Sequence, residues 1–103
     1  MYPEITTTEL AERLRKGEKL NLVDVRERDE WQEEHIAEAR LIPMSELEDR
    51  LDELNAGEEP VILICRSGGR SGKVCDYLHA QGVSVTNVTG GMLSWMEATV
   101  SGE

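Results

Sequence analysis

Four branched aliphatic residues in succession, Val61-Ile62-Leu63-Ile64, run straight into Cys65 and a glycine-bearing turn. A strand with water on one face alternates apolar and polar side chains. An uninterrupted apolar run needs cover on both faces, as the central strand of a parallel sheet has. Parallel strands in turn need crossover connections of a dozen residues or more, usually helices. One short segment therefore points to an α/β architecture, provided the rest of the chain supplies strands and crossovers.

The remaining pattern does so. Thr6-Thr7-Thr8-Glu9 ahead of Leu10, Ala11 and Leu14 reads as a capped amphipathic helix that ends near Gly17. Residues 20–25 read as a short buried strand, 29–35 as a helical turn with Trp31 inward, and 39–42 as a second strand closed by Pro43. Ser45-Glu46 opens a helix with Leu47, Leu51 and Leu54 on one stripe, stopped by Gly57 and Pro60. Beyond the central strand and the turn Ser67-Gly68-Gly69, a helix is expected over about 70–81, capped by Gly82. A strand over 83–88 follows, and Gly90-Gly91 leads into a last short helix carrying Trp95. Strands alternating with helices imply right-handed crossovers and a parallel sheet with helices on both sides. With 103 residues and no internal repeat or linker, the expectation is a single domain over residues 1–103.

Charge narrows the function classes. Twenty-one acidic against 11 basic side chains leave a formal charge of −10, which argues against nucleic acid or an anionic membrane as partner. The acids gather in 27–38 and 46–59 and read as solvated faces, whereas 65–73 holds three basic residues and no acid. No apolar run approaches the ~20 residues of a membrane span, and the N-terminus lacks the basic and apolar stretches of a signal peptide. A cytoplasmic location is expected. Cys65 and Cys75 match neither a redox pair nor a zinc site, so no metal and no cofactor are expected.

In an open α/β sheet ligands bind beyond the carboxyl ends of the strands, which is where Cys65 stands. Three effects are expected to act on its sulfur. Amides of residues 66–70 can turn inward, because Gly68 and Gly69 tolerate backbone angles other residues avoid. The following helix offers unpaired N–H groups and about half a positive charge. Arg66 and Arg70 add two full charges. All three favour the thiolate, the nucleophilic form of cysteine. A nucleotide-binding loop is excluded: the Walker pattern needs Gly five residues before Gly72, where Ser67 stands, and Ser or Thr after Lys73, where Val74 stands.

At this point the chain resembles the rhodanese family over nearly its whole length. The matching segments are Asp24-Val25-Arg26, Glu30-Trp31 with His35-Ile36 and Ala39, and Ile42-Pro43. Cys65-Arg66-Ser67-Gly68-Gly69-Arg70-Ser71 and Gly90-Gly91 with Trp95 complete the series. The resemblance implies a three-layer α/β/α domain with a five-stranded parallel sheet and a ping-pong sulfur transfer. Cys65 would take sulfane sulfur from thiosulfate or a related donor, hold it as a persulfide, and pass it to a thiol, cyanide or protein acceptor. Arg66 and Arg70 would bind the donor's oxygens, and the loop amides would stabilise the persulfide, with Ser67 and Ser71 as further donors. The spacing Cys-x4-Arg is one residue shorter than the Cys-x5-Arg of phosphatases and arsenate reductases of related architecture. The shorter ring suits one sulfur better than a tetrahedral oxyanion. Arg66 leans toward thiosulfate over mercaptopyruvate. A persulfide carrier serving one protein partner is the non-enzymatic alternative.

Other residues take supporting readings. Asp24 is expected to ion-pair in support of the loop, whereas Arg26 either binds substrate or pairs with neighbouring acids. His35 is read as structural, since a preformed thiolate needs no general base. Glu34, Ala37 and Glu38 depart from the family's small residues around that histidine and imply altered local geometry there. Cys75, Trp31 and Trp95 are expected in the core.

Overall fold

The computed structural model describes residues 2–54 and 59–102. Five parallel strands form one sheet: β1 (Glu4–Thr6), β2 (Asn21–Asp24), β3 (Arg40–Leu41), β4 (Val61–Ile64) and β5 (Val85–Thr89), in the order β1-β5-β4-β2-β3. Between them run α1 (Thr7–Arg15), α2 (Arg28–Glu33), α3 (Leu51–Leu54) and α4 (Gly69–Ala80). Two 3₁₀ segments, Met44–Arg50 and Gly91–Ser94, precede α3 and follow β5.

The apolar run is the central strand, and all four of its side chains are buried. Strand pleating sends Val61 and Leu63 to one face and Ile62 and Ile64 to the other. The first face packs against Val74, Cys75 and Leu78 of α4 and Leu54 of α3; the second packs with Leu10 of α1, Ile36 and Val88. At roughly 1.5–3 kcal/mol for each large aliphatic side chain removed from water, this strand is a main anchor of the fold.

Three expectations need correction. The N-terminal strand β1 is absent from the pattern reading, because three residues with only Ile5 half-buried carry no visible alternation. Its Thr6 doubles as the helix cap: Glu9 N donates to Thr6 Oγ1 at 3.1 Å, and Thr6 N donates to Glu9 Oε1 at 2.9 Å. The helix expected from Ser45 is a 3₁₀ segment followed by one α-turn. A three-residue repeat places both Met44 and Leu47 against the core, which suits the tighter helix. The expected stop at Gly57 lies outside the described residues. Finally, α4 begins at Gly69 rather than Arg70 and ends at Ala80, while the last strand is shifted to Val85–Thr89.

Candidate active site

Chain direction creates the site. From β2 the chain leaves toward β3 at one edge, and from β4 it leaves toward β5 on the other side. The segments beyond β2 and β4 therefore part at a crevice, the usual ligand position in an open α/β sheet. Asp24 pairs in register with Ile64, and Val25 N donates to Ile64 O at 3.0 Å, so Asp24, Arg26 and Cys65 emerge side by side.

The loop after Cys65 is held by its carbonyls. Met92 N donates to Cys65 O at 2.8 Å and Leu93 N to Arg66 O at 2.9 Å. This close approach is possible because residue 91 is glycine: a Cβ there would lie 2.4 Å from Cys65 O and 2.6 Å from Arg66 O. Gly68, at φ +100°, turns the chain into α4. Gly69 is different: its backbone is helical and a Cβ on it would meet nothing within 4 Å, so the expected freedom of both loop glycines is used at Gly68 alone.

With carbonyls directed outward, donors converge on the sulfur. Gly68 N lies 3.1 Å from Cys65 Sγ, and Ser71 N and Ser71 Oγ each lie 3.3 Å from it. Burial alone would push the Cys65 thiol up. The Ser71 hydroxyl and the amides of Ser71, Gly68 and Ser67 outweigh it, and the net shift is below the ordinary thiol value. Ser67 is exposed and acts here through its backbone. Cys65 is only 1% exposed, so a reactant must enter the loop to reach it.

The arginines are arranged differently from the expectation of two free loop charges. Arg70 makes a bidentate pair with Glu30, Nη1 to Oε1 and Nη2 to Oε2, both at 2.8 Å. That pair pulls the Glu30 carboxyl down to about 2 against the cost of its burial. Arg26 is 5% exposed and grips Asp24 through Nε and Nη2, with Nη2 also donating to Glu34 O at 2.7 Å. Arg66 is exposed and makes no side-chain hydrogen bond or ion pair among the described residues. Beside the loop a cleft of about 210 Å³ is lined by Arg26, Glu30, Glu33, Glu34, Arg66, Met92 and Leu93. Arg66 is thus the cation in this cleft that is open to an incoming anion.

Two contributors escaped the sequence reading. Glu30 falls in the acidic run that reads as a solvated face and is matched to the family only as a neighbour of Trp31; its place one position before that buried residue is the signal for its pairing with Arg70. Asn87, 4% exposed on β5, accepts from Ser71 Oγ at 2.6 Å. A polar residue inside an otherwise buried strand was its signal. His35 stacks on Trp31 with centroids 3.6 Å apart, and its Nδ1 is 2.7 Å from Trp31 O. Its backbone bridges to Val100, so the stretch with the unusual Glu34, Ala37 and Glu38 is tied to the C-terminal segment. Cys75 is fully buried, Trp31 is 9% exposed, and Trp95 packs on the core from a half-buried position. Among the described residues no cluster of three or more His, Cys, Asp or Glu is placed to hold a metal ion.

The family model for the rhodanese-like domain matches residues 6–98. The chain belongs to the rhodanese-like family. It is 42% identical over 92 residues to a putative sulfurtransferase, YtwF, of Bacillus subtilis, covering 89% of this chain and 88% of that protein. It is 33% identical over 96 residues to the thiosulfate sulfurtransferase GlpE of Coxiella burnetii, covering 92% and 88%. A putative sulfur carrier protein of Bacillus subtilis, YrkF, is 38% identical, with this chain spanning about half (52%) of its length. Among solved structures, a rhodanese-like domain protein from Staphylococcus aureus superposes with a TM-score of 0.89 at 37% identity, covering 98% of this chain and 99% of that one. Two of these relatives are named for sulfur transfer and a third for sulfur carriage.

Proposed function

We propose that this protein is a sulfurtransferase that carries sulfane sulfur as a persulfide on Cys65, taken from thiosulfate or a related donor. The observation that carries the reading is the ring of donors from Gly68 and Ser71 closing on one sulfur at 3.1–3.3 Å. In the first half-reaction the Cys65 thiolate attacks the outer sulfur of thiosulfate. The sulfur–sulfur bond of the donor breaks, its electron pair leaves with sulfite, and Cys65 retains a persulfide anion. In the second, a thiol, cyanide or protein thiolate attacks the terminal sulfur and Cys65 departs as thiolate. Charge balances in both steps, and neither needs an external oxidant or a general base.

The loop residues divide this work. Gly68, Ser67 and Ser71 hold negative charge on the sulfurs through amides and a hydroxyl. Arg66 meets the donor's oxygens, while Gly69 starts the helix that supports the cradle. Arg70 anchors the loop to α2 through Glu30. Asp24 and Arg26 brace the crevice wall through their buried pair. A phosphatase reading is disfavoured because the buried Asp24 and the half-buried Glu30, the acids by the loop, are both tied up by arginines. A second reading, persulfide delivery to one protein partner, is supported by the relative named as a sulfur carrier. No helix among the described residues is long and apolar enough to cross a membrane, and the work is proposed to occur in the cytoplasm.

The test is intact mass after incubation with thiosulfate. A gain of one sulfur atom, removed by reductant and absent from Cys65→Ser, is expected; a Cys65→Ser variant that still gains it defeats the assignment. Fast discharge to a protein thiol beside slow discharge to cyanide would favour the carrier reading.

A further inference from the structure

Ser71 has one hydroxyl hydrogen and three acceptors around it. Its Oγ lies 2.6 Å from Asn87 Oδ1, 3.3 Å from Gly68 O and 3.3 Å from Cys65 Sγ. A hydroxyl donates one hydrogen bond at a time. In the arrangement described, the shortest of these contacts directs the hydrogen to Asn87, away from the sulfur. The sulfur needs that hydrogen when it becomes an anion, because hydrogen bonds to charged acceptors are about twice as strong as neutral ones.

A side-chain amide resolves the conflict. Its oxygen and nitrogen have nearly the same size, so turning it over exchanges an acceptor for a donor at the same place. With the amide reversed, Asn87 Nδ2 donates to Ser71 Oγ, and the hydroxyl hydrogen is released toward Cys65. The contact given up is the 3.4 Å approach of Asn87 Nδ2 to Gly68 O. That carbonyl keeps its bond from Gly72 N at 3.0 Å, but the reversed amide oxygen takes the place of Nδ2 beside it, a cost that the hydrogen bond gained by the anionic sulfur has to offset. Asn87 faces α4 at Gly72, where a Cβ would lie 3.6 Å from Asn87 Nδ2 and 3.9 Å from the Tyr2 hydroxyl, so the absence of a side chain on residue 72 leaves room beside the amide.

We propose that Asn87 is a positioning residue: by turning its side-chain amide it hands the Ser71 hydroxyl hydrogen to the Cys65 sulfur when that sulfur carries negative charge. The inference rests on Cys65 being the ionised sulfur carrier and adds the device that lets both its neutral and anionic states be hydrogen-bonded. Other charged and titratable groups around the sulfur are set apart from this chain of bonds. On β2 and just beyond it, Asp24 holds Arg26; on α2, Glu30 holds Arg70 of α4; Arg66 lies exposed on the loop; and Cys75 on α4 is pushed up to about 12 by burial.

The experiment follows the pH midpoint of Cys65 alkylation in the native protein and in Asn87→Asp, Asn87→Leu, Ser71→Ala and the double variant Ser71→Ala/Asn87→Asp. Asp accepts but does not donate, so Asn87→Asp should hold the hydroxyl hydrogen away and raise the midpoint by about one pH unit, a tenfold loss of thiolate well below it. Asn87→Leu removes the competing acceptor and should shift it by less than half as much, although it is the larger change to packing. In the Ser71→Ala background the effect of Asn87→Asp should fall by more than half.

The proposal is overturned if Asn87→Leu shifts the midpoint as much as Asn87→Asp, or if the Asn87→Asp shift survives undiminished without Ser71. Should Asn87→Asp not fold, nitrogen-15 spectra of the native protein decide. The Asn87 side-chain amide signals should move with the Cys65 midpoint, and most of that movement should be lost in Ser71→Ala; equal movement in both overturns the proposal. Sulfur loading of the native protein from thiosulfate, measured in parallel, separates the two questions. Loading with uncoupled Asn87 variants refutes only this inference, whereas no loading refutes the function itself.

Discussion

Cys65 and Cys75 are both buried to within 1% and share one core cluster, yet their sulfurs are driven in opposite directions. Burial pushes Cys75 up to about 12, aided by the negative charges of Asp76 and Glu4. The same burial acts on Cys65 and is overcome by the Ser71 hydroxyl and three inward amides. The two sites differ in what the backbone does beside them. Cys75 sits within α4, where amides belong to the helix ladder, whereas Cys65 stands before the helix, where amides have no carbonyl four residues back. The reactivity proposed for Cys65 thus rests on its position relative to a helix start, and not on concealment in the core.

The sharpest way to break this contrast is to spoil the loop without touching either cysteine. Gly91→Ala places a methyl group 2.4 Å from Cys65 O at a residue with φ +56°. The expected cost is about 2–3 kcal/mol. That is a fall in Tm of roughly 10–20 °C for a domain of this size, with the Cys65 alkylation midpoint rising toward that of an ordinary thiol. Unchanged melting and reactivity would show that the close approach of residue 91 does not hold the loop.

A smaller effect is expected from Glu30→Gln, which leaves Arg70 without its carboxylate. Thermal unfolding should show a loss of about 1–2 kcal/mol, with little change in the Cys65 midpoint, because amides and not Arg70 set it. The pH dependence has a fixed sign. Glu30 titrates at about 2 when folded and near 4.5 when free, so its stabilisation is complete above the free value and fades as pH falls from about 4.5 toward 2. In that window the variant's stability should depend on pH less steeply than the native protein's. Parallel acid-denaturation curves would contradict the pairing.

The smallest effect belongs to Gly69→Ala. Its helical backbone and empty surroundings predict a change within about 0.5 kcal/mol, on the stabilising side, since alanine favours helix over glycine. Chemical denaturation of Gly69→Ala beside Gly91→Ala makes the comparison. Similar losses in both would refute the division of the glycines into one that meets backbone and one that does not.

What the sequence made legible follows from how local each cause is. The four-residue apolar run, the glycine turn and the helix after it are local patterns, and the sheet class and the place of Cys65 followed from them. The strand Glu4–Thr6 was invisible because its pairing with β5 is made across the chain by a segment too short to show a period. Glu30 on Arg70 and Asn87 on Ser71 are likewise joined only by the fold, 40 and 16 residues apart in sequence. Charge counting therefore overstated the open positive potential of the loop: Arg66 and Arg70 look alike in sequence, but among the described residues one lines the cleft without an ion-pair partner and the other is bound to Glu30.

Hydrogen-bond donors beside a helix start, acting on one buried cysteine and not the other, are what is proposed to make Cys65 a sulfur carrier. Quantitative alkylation of both cysteines in one folded sample across pH, resolved by peptide mapping, tests it most directly. Cys65 should be labelled with a midpoint below the usual thiol range, while Cys75 stays unlabelled until the protein unfolds. Equal labelling of the two, or a Cys65 midpoint at or above that of an ordinary thiol, would contradict it.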